Sequence, residues 1–333
     1  MSILYINDYG VVVGMSDGRC KAALQEQCIA SIPLEQLEGI VILGQAQLTT
    51  ALTEYCLTNG VTVSFFSRGG TYFGKLESTG HINVPRQRLQ CSLYDTEFAL
   101  ELSRSLIRAK VHNQQVVLKR YESLRKQDCE AEKKIIAASC EKVKSAVDGM
   151  SLLGYEGTAA RAYFQGMGKC VDEAFSFEKR SRRPPLDPFN SMLSFGYSML
   201  LREIQVSLET HGLNSYFGFF HRDAEKSPSL ACDLIEEWRA VIVDATVMSA
   251  VNKHIIRREH FEQEDGKPGI YFTKEGVRIF IERMEQKLST KIQYLPYIDY
   301  PLDFRHAIDM QAVQLIKAME AEDASLYQPL WIR

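Results

Sequence analysis

At about residue 85 the hydrophobic pattern of the chain changes period, and that change decides the architecture. Upstream, ILYINDYGVVV (3–13) is dense in β-branched and aromatic residues, Asp17-Gly18 supplies hairpin-turn chemistry, and IVILG (40–44) and VTVSFF (61–66) are apolar runs of strand length. One short helix, TTALTEYCLTNG (49–60), interrupts them and closes on Asn59-Gly60. Downstream of PRQRLQ (85–90), apolar residues recur at helical spacing through FALELSRSLIRAKVHNQQVVLKRYESL, with charges on the other face. The fold class is therefore α+β: a β-rich domain over residues 1–84, then a larger all-α domain over residues 85–333. A length of 333 residues suits two domains at about 150 residues each.

Within the helical part, Asp187-Pro188 and Ser227-Pro228 each set a capping oxygen before a proline at the first helical position. The first of these helices is expected to stop at His211-Gly212. The polar turn EQEDGKPG (262–269) is the longest break, and no internal repeat or low-complexity tract is present.

Global properties exclude several classes. A net charge of −3 gives no overall attraction to nucleic acid, so polyanion binding would need a local basic patch or a surface built by assembly. No run of about 18 apolar residues spans a membrane, and MSILYINDYG lacks the layout of a signal peptide, so a cytoplasmic protein is expected. The eight cysteines form no CxxC pair and read as reduced side chains.

The stretch GFFHRDAEKSPSLACDLIEEW (218–238) places a histidine just before a helix rich in acids. With Ser227 as cap and about 100° per residue, Leu230, Ala231, Leu234, Ile235, Trp238, Val241 and Ile242 fall on one apolar arc, with Asp233, Glu236 and Glu237 outside it. Asp233 and Glu236, three apart, should bring their Cβ atoms within about 5–6 Å of each other. Two carboxylates that close repel unless a cation or partner intervenes, and His221 is one loop away. A His–carboxylate set suits Mg²⁺ or Mn²⁺. The competing reading is a solvated helix face beside an incidental imidazole.

Two further features bear on this choice. In LLGYEGTAARAYF (152–164), Glu156 stands beside Gly157 at the expected start of an Ala-rich helix, either as a site residue at a junction or as a first-turn acid favoured by the helix dipole. In EKRSRRPPLDPFN (178–190), Lys179, Arg180, Arg182 and Arg183 precede a stiff Pro184-Pro185 unit, which would present them to phosphates, or they are plain solvated surface. A weaker basic cluster, KHIIRR (253–258), follows, and its His254 reads as structural.

In order along the chain, YEGTAARAYF, RRPPLDPFNSMLSFGY (182–197), GFFHRD (218–223), SLACDLIEEWRAVIVD (229–244) and GVRIFIERMEQKL (276–288), followed by Arg305, Ile308 and Gln311-Ala312, resemble the segments of CRISPR-associated protein one, the metal-dependent DNA endonuclease and integrase that inserts spacers during CRISPR adaptation. The resemblance covers almost the whole chain. It implies a metal held by a Glu, a His and a final acid, which fall on Glu156, His221 and Glu236. Spacing alone does not rank Asp233 against Glu236. The likeness of DLIEEWR to the family favours Glu236 and leaves Asp233 as a second ligand or an outer group. The resemblance also implies Mg²⁺ or Mn²⁺, a β-rich domain used for homodimerisation, spacer and repeat DNA as partners, and a higher complex with the small second Cas protein. The expected chemistry is attack of a DNA 3′-hydroxyl on a phosphodiester, or of water in the nuclease reaction. Two rivals are a non-catalytic DNA-binding scaffold and a metal-dependent hydrolase of small phosphoesters.

Overall fold

A computed structural model of the chain describes residues 2–263, 266 and 268–333, so positions 264, 265 and 267 of the polar turn at 262–269 lie outside the described residues. The molecule divides into two compact units, Met1–Ile82 and Asn83–Arg333.

The first unit is strand-rich. Its strands are β1 (Ser2–Ile6), β2 (Val11–Ser16), β3 (Arg19–Leu24), β4 (Gln27–Pro33), β5 (Leu37–Leu43), β6 (Ala46–Leu48), β7 (Thr62–Phe66) and β8 (Tyr72–Leu76), with helix α1 (Thr50–Asn59) before β7. They form two four-stranded sheets, in the orders β1-β5-β7-β8 and β4-β3-β2-β6. The β2–β3 hairpin turns on Asp17 and Gly18 at φ 54° and 69°. Two successive left-handed residues give the hairpin turn whose twist matches its strands. β5 pairs in parallel with both β1 and β7. Its run from Gly39 to Leu43 is buried at every position, as expected for a strand covered on both faces. Ile40, Ile42, Val63, Val11, Val13, Cys20, Ala22 and Leu52 form the core. Thr49 caps α1 by accepting from Leu52 N, and Gly60 closes it at φ 70°.

The second unit is mostly helical: α2 (Val84–Ser92), α3 (Glu97–Arg125), α4 (Glu130–Lys144), α5 (Gly149–Cys170), α6 (Pro188–Thr210), α7 (Ser229–Leu234), α8 (Ala245–Asn252), α9 (Lys274–Leu288) and α10 (Phe304–Glu320), with a small antiparallel pair β9 (Phe261–Gln263) and β10 (Ile270–Phe272). Two helices carry the frame of the site. α6 starts as its cap dictates, with Asp187 Oδ1 accepting from Asn190 N at 2.7 Å and Pro188 in the first turn, and it stops at His211. α5 starts earlier than its glycines suggest, because Asp148 and Ser151 form a capping box. Gly154 and Gly157 thus lie inside the helix, and Glu156 is a mid-helix residue rather than a junction residue. α3 and α5 approach closely at Gly166, where a Cβ would lie 2.8 Å from Leu118 Cδ1.

The segment after Pro228 departs most from expectation. Its cap position is Pro228 itself, with no side-chain hydrogen bond, so Ser227 does not cap it. The α-helical winding lasts six residues, tightens to a 3₁₀ turn at Ile235–Glu237, then opens to a π turn at Ala240–Asp244 before α8. A uniform rotation per residue therefore does not describe it. All three acids are buried, with Asp233, Glu236 and Glu237 exposed by 1%, 3% and 0%, so the solvated-face reading does not hold.

Candidate active site

The site is assembled from separate stretches of the helical unit. α5 supplies Glu156, α3 supplies Lys110, the 3₁₀ turn supplies Glu236, and the loop after Gly218 supplies His221. That loop is pressed onto α7: a Cβ on Gly218 would lie 2.7 Å from Ser229 Cβ and 2.8 Å from the Ser229 carbonyl carbon, so only hydrogen fits there.

Asp233 explains the shape of the loop. Its Oδ2 accepts from Phe219 N (2.6 Å) and Phe220 N (3.0 Å), and its Oδ1 accepts from His221 N (2.8 Å) and pairs with His221 Nδ1 (2.7 Å). Four donors occupy the carboxylate, which therefore orients a ring and a backbone rather than offering a free oxygen to a cation. The alternative of Asp233 as a second ligand has no geometric support. With Asp233 accepting at Nδ1, a proton is assigned to that nitrogen, and Nε2 is the ring nitrogen that faces Glu236. His221 Nε2 is 3.8 Å from Glu236 Oε1.

Lys110 joins the two glutamates. Its ammonium pairs with Glu156 Oε1 and lies 2.5 Å from Glu236 Oε2, while Arg239 Nη2 lies 3.3 Å from Glu236 Oε1. Burial acts to raise the Glu236 carboxyl, but Arg239, Lys110 and His221 outweigh it and hold the group down at about 2. Lys110 Nζ, 2.5 Å away, is the cation that faces Glu236 Oε2. An ionised buried carboxylate, a second glutamate sharing the same cation and an imidazole nitrogen form a donor set that suits a hard or borderline divalent ion. Among the described residues no group of three or more His, Cys, Asp or Glu side chains is placed so as to hold a metal ion while Lys110 stands between the glutamates.

Behind Glu236 lies a network that sequence reasoning missed. Arg239 lies over the Tyr197 ring at 5.1 Å, and Arg180 lies 5.4 Å from the same centroid. Tyr197 and Tyr163 donate to the two oxygens of Asp244 at 2.6 and 2.9 Å. Burial pushes the Asp244 carboxyl up to about 6 against these hydrogen bonds and the two arginines. The π turn sets Asp244 on this inner face, a local rewinding with no signature in residue type.

Glu237 has a different task. It accepts from Tyr327 Oη (2.6 Å), from Gln311 Nε2 (3.1 Å) and from Leu330 N, and burial pushes its carboxyl up to about 7. Asn113 on α3 donates to Glu237 O (2.9 Å) and Leu330 O (3.0 Å), and accepts from Ile332 N (3.1 Å). His112 stacks on Trp331 at 3.9 Å. The backbone next to Glu236 is thereby fastened to the segment from Tyr327 to Ile332.

The basic run divides in two. Arg180 is committed inward, donating to Asn190 Oδ1 (2.7 Å) and Ser194 Oγ (3.1 Å), so its expected role as a surface contact for DNA has no support in the geometry. Asn190 also accepts from Ser181 N (3.1 Å) and donates to Lys179 O (2.9 Å), which fixes the turn. The side chains of Lys179, Arg182 and Arg183 are exposed. Reversing the charge of Arg182 and Arg183 together is expected to weaken DNA binding and to flatten the slope of affinity against salt by about two charges' worth. Titration of a labelled duplex at several salt concentrations measures this, and an unchanged slope would assign the run to ordinary surface. His254, at φ 54°, lies two residues past the end of α8.

Comparison with known proteins places this geometry in context. A sequence model of the family described as "CRISPR associated protein Cas1" matches residues 4–286. The CRISPR-associated endonuclease Cas1 of Mycobacterium tuberculosis is 32% identical over 319 residues, which is 96% of this chain and 94% of that protein. A Cas1 protein from Thermotoga maritima superposes with a TM-score of 0.82 at 23% identity, covering 96% of this chain and 97% of its own. A chain of a Cas6-RT-Cas1–Cas2 complex superposes with a TM-score of 0.85 at 25% identity, over 99% of this chain and 36% of that longer chain.

Proposed function

The chain belongs to the Cas1 family, and from that premise we propose that it is a metal-dependent DNA endonuclease and integrase of CRISPR adaptation, which joins short DNA spacers to the repeat array by 3′-hydroxyl transesterification. The observation that carries this reading is the convergence of Glu156 and Glu236, from segments far apart in sequence, on one buried ammonium, with His221 Nε2 3.8 Å from the other oxygen of Glu236.

In this reading Glu156, Glu236 and His221 Nε2 hold Mg²⁺ or Mn²⁺. When bound, the ion stabilises negative charge on the attacked phosphate and on the departing 3′ oxygen. The chain's own groups do the remainder. Asp233 keeps the His221 ring turned so that Nε2 faces Glu236, and Arg239 holds the Glu236 carboxylate ionised. The half-exposed imidazole marks the open side, by which a phosphodiester reaches the site. One phosphorus–oxygen bond forms to the incoming 3′ oxygen as one breaks to the leaving 3′ oxygen, so no energy-rich co-reactant is needed. Water as nucleophile gives hydrolysis.

The β-rich unit serves homodimerisation, and two such dimers are bridged by the small second Cas protein, in keeping with the chain's likeness to a component of a Cas1–Cas2 complex. A weakly acidic chain then gains its DNA track from the assembly, with Lys179, Arg182 and Arg183 contributing. No helix among the described residues is long and apolar enough to cross a membrane, and the proposed place of action is the cytoplasm.

The decisive assay mixes the protein, the second Cas protein, a short duplex with 3′-hydroxyl ends and a supercoiled plasmid bearing repeats, with and without Mn²⁺. Covalent joining only with the metal is expected, and metal-independent joining or none at all would overturn the proposal. One observation favours the scaffold alternative: Lys110 already neutralises the glutamates as a structural ion pair would. Calorimetry with Mn²⁺ separates the two, because a scaffold gives no heat that depends on Glu156 and Glu236.

A further inference from the structure

We propose that Lys110 is a resident counter-ion which holds Glu156 and Glu236 at ligand spacing before a divalent ion arrives, and which that ion must displace to enter. The inference rests on the reading of Glu156 and Glu236 as metal ligands and adds a determinant of how tightly they bind.

Two observations carry it. Lys110 occupies a position on the buried stripe of α3, one turn beyond Leu106 and just before Asn113, where an apolar residue would suit the packing. Its side chain is almost wholly buried and its ammonium touches both glutamates at once.

Physical necessity supports the same assignment. Two carboxylates that meet on one ammonium repel each other unless a positive charge stands between them. Arg239 reaches only Glu236, so Lys110 is the cation that the two share. A divalent ion bound to oxygens of both glutamates would occupy the place of the ammonium, and the two cannot coexist there at like charge. Lysine suits an exchangeable cation because its charge sits on a flexible stem and is not locked by a planar fork. The ammonium leaves on the side of His221, whose ring is 34% exposed.

Two measurements test the proposal on the whole protein. The first is Mn²⁺ calorimetry of the wild type and of Lys110→Met, which removes the charge and keeps the stem's bulk. The variant is expected to bind Mn²⁺ at least ten times more tightly, and its metal-free melting temperature is expected to fall and to be restored by Mn²⁺. The second needs no variant. Brief acylation of the wild type with an amine-reactive ester, read by mass spectrometry, should modify Lys110 several-fold faster once Mn²⁺ is added. Should Lys110→Met fail to fold, the labelling decides alone. Glu156-dependent Mn²⁺ binding with unchanged labelling, or with equal or weaker affinity in a folded Lys110→Met, overturns the counter-ion and leaves the metal site standing. Absence of any Mn²⁺ binding that depends on Glu156 and Glu236 overturns both.

Discussion

Glu156→Gln, His221→Ala and Glu236→Gln are each expected to lower metal-dependent strand transfer at least ~10³-fold, about 4 kcal/mol of lost transition-state stabilisation, with duplex binding retained. Glutamine is the informative replacement for the acids because the site is buried. Glu236 balances Lys110 and Arg239, and truncating it to alanine would leave those cations unpaired, at a cost of roughly 3–5 kcal/mol in stability. The amide keeps the volume while it removes the charge that a metal requires. Glu156 is less buried and shares only Lys110, so its glutamine variant should melt close to the wild type. Gel-based integration assays at saturating Mn²⁺, with circular dichroism as the check on folding, measure the effect. Full integration by any of the three would remove that residue from the metal-binding set.

The second large effect belongs to a residue that touches no substrate. Asp233→Ala would strip acceptors from Phe219 N, Phe220 N, His221 N and His221 Nδ1 at once. A buried donor left without a partner costs about 1–3 kcal/mol, so a total of roughly 3–5 kcal/mol is expected after water reaches the exposed end of the loop. Asp233→Asn should be gentler on the fold, because the amide oxygen still accepts. Its NH₂, however, faces donors where an oxygen belongs, and the imidazole loses its anchor. A loss of about 10- to 100-fold in Mn²⁺ affinity follows, as is usual when the partner of a metal-ligating histidine is removed. Urea unfolding of the first variant and Mn²⁺ titration of the second test the two halves. An alanine variant as stable as the wild type would show that the loop holds its shape without Asp233.

How much of this was legible in the sequence depended on whether the information was local. Asp17-Gly18, Asn59-Gly60 and Asp187-Pro188 encode their turns and caps in adjacent residues, and each was readable. The change of hydrophobic period gave the strand-rich and helical parts, because periodicity reports which face is buried. Glu156 was misplaced to a helix start because Gly154 and Gly157 look like breakers, whereas the capping box at Asp148 and Ser151 lies several residues upstream. The winding after Pro228 was illegible for a deeper reason. Asp233 and Glu237 turn inward toward a loop and a distant segment, and those tertiary partners, not the intrinsic preference of the chain, select the 3₁₀ and π turns. Lys110 did leave a trace as a charge on an apolar stripe, followed by Asn113 and Gln114 on the same buried helix. That trace points to a buried polar site but not to the carboxylates that occupy it.

The fastening of Glu237 by Tyr327, Leu330 and Asn113 bears on the order of events during translation. The ribosome decodes the reactive turn ninety residues before it reaches Tyr327. Until that late stretch emerges from the exit tunnel, the backbone beside Glu236 lacks the clasp that fixes it.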